Sequence, residues 1–185
     1  MRRLMVVDDE AVIAMQLEDH LQSMKYDVVG TASSAEESVS MARKLCPDLI
    51  LMDIVMEGKL DGIDAARMIK EEMDIPIIFL TAYADDKVVN RAMQAEPFGY
   101  IVKPFRESEI KANIEIALYR KGLEQKRKQA EERIRRLFLA IDHNPHIIMI
   151  IDIEGNIEFI NNKFSQTIDY TSSEIIGKEI GRAHV

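Results

Sequence analysis

Three carboxylates, a hydroxyl and an amine stand where apolar runs end. Asp8 and Asp9 follow Leu4–Val7, Asp53 follows Leu49–Met52, Thr81 follows Ile77–Leu80, and Lys103 follows Tyr100–Val102. If those runs are strands of one parallel sheet, the five groups meet in the crevice outside the strands' carboxyl ends. Clustered carboxylates repel one another, so such a site is unfavourable unless a cation fills it. Oxygen-only ligands suit a hard ion such as Mg²⁺, which commonly uses one or two carboxylates together with phosphate oxygens. A lysine beside it donates to an anionic group, and a threonine hydroxyl adds a neutral hydrogen bond. Cation, lysine and hydroxyl around one carboxylate make a device for phosphoryl transfer onto that carboxylate. Capping of strands and helices would explain any one of these residues, but not all five at successive strand ends.

The elements that must position them are legible in the same rows. With Val28–Val29 and Thr31 as the second, five apolar runs begin about every 24 residues, which fits a strand, a covering helix and two turns. Four are apolar at every position, as strands buried on both faces of a parallel sheet are. Between them Ala11, Ala14, Met15, Leu17 and Leu21 fall at helical spacing, as do Ala65, Ala66, Met68, Ile69 and Met73. Ser33 with Glu36 reads as a capping box, and Asp85 as the cap of a fourth helix. The expected fold is α/β: an open, doubly wound five-stranded parallel sheet in which the second strand lies off to the side of the crevice.

Composition narrows the class. The chain has 185 residues, 47% of them hydrophobic, with only 8 Gly and 5 Pro, so it can afford a core and is not of low complexity. A lone Cys46 cannot form an internal disulfide, which fits a reducing, cytoplasmic compartment. No apolar run approaches a membrane span, and Asp8 and Asp9 cut short anything resembling a signal peptide. The net charge of −8 is unevenly placed: −9 over residues 1–118, +5 over 119–140 and −4 over 141–185. An acidic block, a basic connector and a second acidic block imply three units.

The segments "VVDDE", "LILMDIVM", "IIFLTAY" and "GYIVKPF", in this order and spacing, resemble the receiver domain of two-component response regulators over about residues 1–120. The resemblance implies a flavodoxin-like sheet of order 2-1-3-4-5. It implies that Asp53 accepts a phosphoryl group from a phosphohistidine on a sensor histidine kinase or histidine phosphotransfer protein. Asp8, Asp9 and Asp53, with the main-chain carbonyl of Val55, would hold Mg²⁺. Lys103 would contact the phosphoryl oxygens, Thr81 would move to bond one of them, and Tyr100 would turn inward as the aromatic switch. Pro104 would follow a cis peptide. Beyond self-phosphorylation from phosphodonors and slow autodephosphorylation, no enzymatic activity is implied. One departure stands out: the family usually has a proline four residues after the acceptor, where this chain has Glu57 in the loop "EGKLDG".

After Pro104 the pattern is helical to about Ile141. Ile116, Leu123, Ala130 and Leu137 recur every seven residues; Ile134 and Ile141 extend a second seam that Arg120 and Arg127 occupy earlier, and Gly122 weakens the helix. Residues 121–141 thus read either as a solvated helix or as a coiled-coil linker joining two protomers. A DNA-binding basic region finds no second element to support it, and no nucleic-acid or membrane partner is expected. Homodimerisation is expected through this linker or through the face of the fourth helix, fifth strand and fifth helix. From Asn144, Ile147–Ile151, a turn at Asp152–Gly155 with Glu154–Gly155 supplying its turn chemistry, and Ile157–Ile160 read as a hairpin, with a helix over residues 162–168. Residues 142–180, with Asn161–Asn162, Phe164 and the ending "IGKEI", resemble the truncated start of a PAS sensor domain, a partial α+β segment. Residues 181–185 fit no continuation and read as a non-native tail. His20, His143, His146 and His184 match no phosphoacceptor helix.

Two other functions compete. An aspartyl-phosphate phosphohydrolase needs an acid two positions after its nucleophile, where Val55 stands. A phosphorylation-independent adaptor would have no need of the complete acid, threonine and lysine set.

Overall fold

A computed structural model describes residues 1–82, 91–168 and 170–180. The elements are β1 (Arg3–Val7), α1 (Ala11–Ser23), β2 (Asp27–Ala32), α2 (Ala35–Leu45), β3 (Leu49–Asp53), α3 (Gly62–Glu72), β4 (Ile77–Thr81), a helical stretch at residues 91–94 (α4), β5 (Gly99–Val102), α5 (Glu107–Asp142), β6 (Met149–Ile151), β7 (Ile157–Ile160), α6 (Asn162–Ile168) and α7 (Ser172–Ile175). Two compact units result, Met1–Glu124 and Gln125–Val185. No described helix is long and apolar enough to cross a membrane.

In the first unit the strands lie in the order β2-β1-β3-β4-β5, all parallel. Successive side chains point to opposite faces, so β1 sends Met5 and Val7 to one core and Leu4 and Val6 to another. The first core adds Ile50, Met52 and Phe79 and is covered by α2 and α3; the second adds Leu49, Leu51, Ile78 and Leu80 and is covered by α1 and the start of α5. Helices on both faces are why the strand sequences are apolar without alternation. Each fully buried Leu or Ile side chain contributes about 2 kcal/mol.

One helix start departs from expectation. The cap of α2 is Ser34, whose hydroxyl accepts from Glu37 N–H, while Glu37 reaches back to Ser33; the pairing is shifted one residue from Ser33 and Glu36. Both serines precede an acid by three, so local pattern could not choose between them. The α3 helix begins at Gly62, where Asp61 and Asp64 form a capping box. The expected cap at Asp85 lies outside the described residues, as do residues 181–185.

α5 is amphipathic only at its start, where Ile110, Ile114, Ala117 and Lys121 are buried. Lys121 pairs with Asp74 and lies over the Phe98 ring. The seam residues Ile116, Leu123, Ile134 and Leu137 are exposed.

In the second unit β6 and β7 pair antiparallel, turning through Gly155 at φ +90°, a conformation that favours glycine. Ile157, Ile160, Phe164 and Ile175 form a small apolar cluster. Asn161, fully buried, ties the unit to the helix end. Its Nδ2 donates to the carbonyls of Ile141 (3.2 Å) and His146 (2.9 Å), and its Oδ1 accepts from the N–H groups of Ile148 (2.9 Å) and Phe164 (3.2 Å). Asn161→Ala removes the partner of the half-buried Ile148 N–H, at a cost of about 2 kcal/mol, while Phe164 N–H keeps its 3.0 Å bond to the Asn161 main-chain carbonyl. The expected result is faster amide hydrogen exchange at Ile148; unchanged exchange there would contradict the role of the side chain.

Candidate functional site

The register of the sheet builds the site. Val7 pairs beside Met52, Asp53 beside Leu80 and Thr81 beside Val102, so Asp8, Asp53, Thr81 and Lys103 come together along one edge. Asp8 and Asp53 are buried, while Asp9 is half-buried. One carboxylate oxygen from each lies within 4.8 Å of the other two.

Lys103 bridges two of the three acids. Its Nζ donates to Asp8 Oδ2 at 2.8 Å and to Asp53 Oδ2 at 2.6 Å. Main-chain amides hold the other oxygens: Glu10 N–H on Asp8 Oδ1 at 3.0 Å and Val55 N–H on Asp53 Oδ1 at 3.2 Å. The Val55 side chain is exposed in the loop beyond β3. Asp9 is held from that same loop, by Glu57 N–H on Oδ2 at 2.8 Å.

Burial pushes the Asp53 carboxyl above the usual aspartate range, and the Asp8 carboxylate adds to the rise. The hydrogen bond and charge of Lys103, with the Val55 amide, oppose it without cancelling it. For Lys103, burial alone would lower the ammonium; its hydrogen bonds to Asp53 and Asp8 and their charges outweigh that and raise it. Three ionised acids and one ammonium leave a formal charge of −2, which one divalent cation would cancel. The donors are all oxygens, so the residues fit a hard cation.

Thr81 is buried at the end of β4, and its carbonyl accepts from Lys103 N–H at 2.7 Å. The Lys103–Pro104 peptide is cis. Tyr100 is partly buried, with its ring centroid 6.0 Å from that of Phe79. Its hydroxyl is enclosed, with no hydrogen-bond partner among the described residues, and burial raises its pKa.

Two contributors were not legible in the sequence. A Cβ on Gly62 would lie 1.8 Å from the Asp53 carbonyl oxygen, so the start of α3 can pack behind the central aspartate only as glycine. The Glu57 amide on Asp9 is the other. The motif spacing flagged the loop as unusual but not which main-chain atom would face an acid across 48 residues of chain.

Residues 4–115 match the model of the response regulator receiver domain. "Transcriptional regulatory protein PdtaR" of Mycobacterium tuberculosis is 40% identical over 119 residues, covering 64% of this chain and 58% of that protein. The chain therefore spans somewhat over half the length of that curated relative. The signal receiver domain of a modulated diguanylate cyclase from Desulfovibrio desulfuricans G20 superposes with a TM-score of 0.65 at 36% identity, over 67% of this chain and 98% of that one. The N-terminal domain of a response regulator/sensory box/GGDEF 3-domain protein from Carboxydothermus hydrogenoformans does so at 0.62 and 28%, over 66% and 98%.

Proposed function

The chain belongs to the response regulator receiver domain family, and on that premise we propose that it is a phosphoaccepting switch of a two-component or phosphorelay system. The observation that carries this reading is the Lys103 bridge between buried Asp8 and Asp53, because it leaves one carboxylate poised beside a fixed positive charge. In the transfer, an Asp53 oxygen forms a bond to phosphorus as the P–N bond of a phosphohistidine breaks. The imidazole of the sensor histidine kinase or histidine phosphotransfer protein leaves with the bonding pair. Lys103 then faces the phosphoryl oxygens, and the Thr81 hydroxyl donates to one of them. Asp8, Asp9, Asp53 and the Val55 carbonyl would hold Mg²⁺, which would supply charge neutralisation when bound.

The added charge biases Thr81 and Tyr100 between two arrangements. The enclosed Tyr100 hydroxyl, unbonded among the described residues, supports this, since such a group gains little by staying where it is. The relay reaches the face of α4, β5 and α5. The chain turns over no other substrate, losing its phosphoryl group by slow autodephosphorylation, and works in the cytoplasm. The test is labelling by a small phosphodonor: incorporation of one phosphoryl group that needs Mg²⁺ and stops with a chelator is expected. Uptake indifferent to chelation would overturn it.

Residues 142–180 are read as the opening of a PAS sensor domain, supported by the hairpin and by the sensory box in the name of the Carboxydothermus relative. The exposed seam of α5 is read as pairing with a second copy, in parallel. With Leu123, Ala130 and Leu137 in one seam position and Arg127, Ile134 and Ile141 in the other, Lys126 faces Glu131 of a second copy only in that orientation. Glu131→Lys is expected to weaken the dimer in sedimentation and Lys126→Glu added to it to restore it. Equal association by all three chains would sink the parallel pairing.

A further inference from the structure

Where most of the family places a proline, this chain places a residue with an N–H. Glu57 stands four residues after Asp53, and its amide donates to Asp9 Oδ2 at 2.8 Å. Proline has no amide hydrogen and could not make this bond. The difference falls on the acid that most needs support. Lys103 holds Asp8 and Asp53 but not Asp9, and the Glu57 amide makes the one hydrogen bond found to the Asp9 carboxylate among the described residues.

The amide is itself well placed. The loop that carries it is pinned beyond Glu57, where Gly62 N–H donates to the Ile54 carbonyl at 3.1 Å. Gly62 also packs so closely behind Asp53 that no side chain fits. Asp61 caps α3 and pairs with Arg91 at 3.0 Å, which fixes the loop's far end.

Resting on the reading that the three acids bind Mg²⁺, we infer that the main-chain N–H of Glu57 is a positioning group for the cation site. It fixes the Asp9 carboxylate by one oxygen and leaves the other free to face the cation. The side chain of Glu57 is not what matters. Groups that orient a metal's ligands typically contribute about 10-fold to 100-fold in metal affinity.

The experiment uses the full chain, titrated with Mg²⁺ by calorimetry in the absence of any phosphodonor. Glu57→Ala keeps the amide and is expected to bind Mg²⁺ as the parent does. Glu57→Pro removes it and is expected to bind about 10-fold more weakly or worse, while melting as a folded protein by circular dichroism. Equal affinity for the proline variant and the parent overturns the inference, as does an alanine variant as weak as the proline one. A parent chain that binds no Mg²⁺ overturns the metal reading and the inference with it, so the two failures are told apart. A second measurement does not depend on tolerating proline. Without Mg²⁺, the Glu57 amide should exchange with solvent more slowly in the parent than in Asp9→Ala; equal exchange also overturns the inference.

Discussion

Asp53→Asn should take up no phosphoryl group from a small phosphodonor at Mg²⁺ concentrations that label the parent chain fully. An amide offers no nucleophilic oxygen. Loss of a single stabilising donor already costs about a hundredfold in related chemistry, and loss of the attacking group should cost at least that. The same variant should not be less stable. Asp53 is a buried carboxyl whose pKa lies above the ordinary range, chiefly through burial, so its ionised form is disfavoured by the fold and a neutral isostere relieves that. Normal folding with labelling at background is therefore the expected pair of results, read by phosphoryl incorporation and thermal melting together. Labelling equal to that of the parent would move the acceptor elsewhere.

Lys103→Ala should produce a different combination, a large loss of stability alongside the same loss of uptake. The ammonium is only 11% exposed and is bonded to two carboxylates that are 0% and 7% exposed. Removing one partner of a buried ion pair leaves uncompensated charge, at a cost of about 3 kcal/mol or more. The pH dependence follows from the directions of the shifts. Lys103 lowers the Asp53 carboxyl, so without it that carboxyl rises further above its unfolded value. A carboxyl raised in the folded state contributes stability when protonated, and that contribution is lost as pH rises through its folded pKa. The gap between variant and parent should thus be small in acid and widen toward neutral pH. Urea unfolding across that range in Mg²⁺-free buffer measures it. A gap that narrows toward neutral pH would contradict the bridge as the dominant counter-charge. Added Mg²⁺ should return part of the lost stability, because a cation that binds only the folded site stabilises it by mass action.

Asp9 marks how far local pattern can be followed. Its place in the cluster was readable because it follows β1, but its orienting partner, Glu57, lies 48 residues away. Lys121 makes the same point from the other side. By heptad spacing it is one more charge in a basic connector, yet it is buried, paired with Asp74 and set over Phe98. Asn161 was visible only as half of an Asn–Asn pair, whereas in the structure it closes the carbonyl end of α5 onto the hairpin.

What the sequence determined by itself is what depends on a residue's own run of neighbours. Uninterrupted apolar runs specified strands buried on both faces, their spacing specified covering helices, and the polar residues at the run ends specified which side chains could meet. This is a matter of period and position, and it sufficed to place Asp8, Asp53, Thr81 and Lys103 at the ends of β1, β3, β4 and β5. Only the tertiary structure decided which atoms touch. The Lys103 bridge, the amide on Asp9, the bare Cα of Gly62 against the Asp53 carbonyl and the hydrogen bonds of Asn161 all join residues distant in sequence. Hydrogen bonds and close packing depend on distances of a few ångströms, and those are set by how the sheet, its helices and its loops close together rather than by any stretch of chain alone.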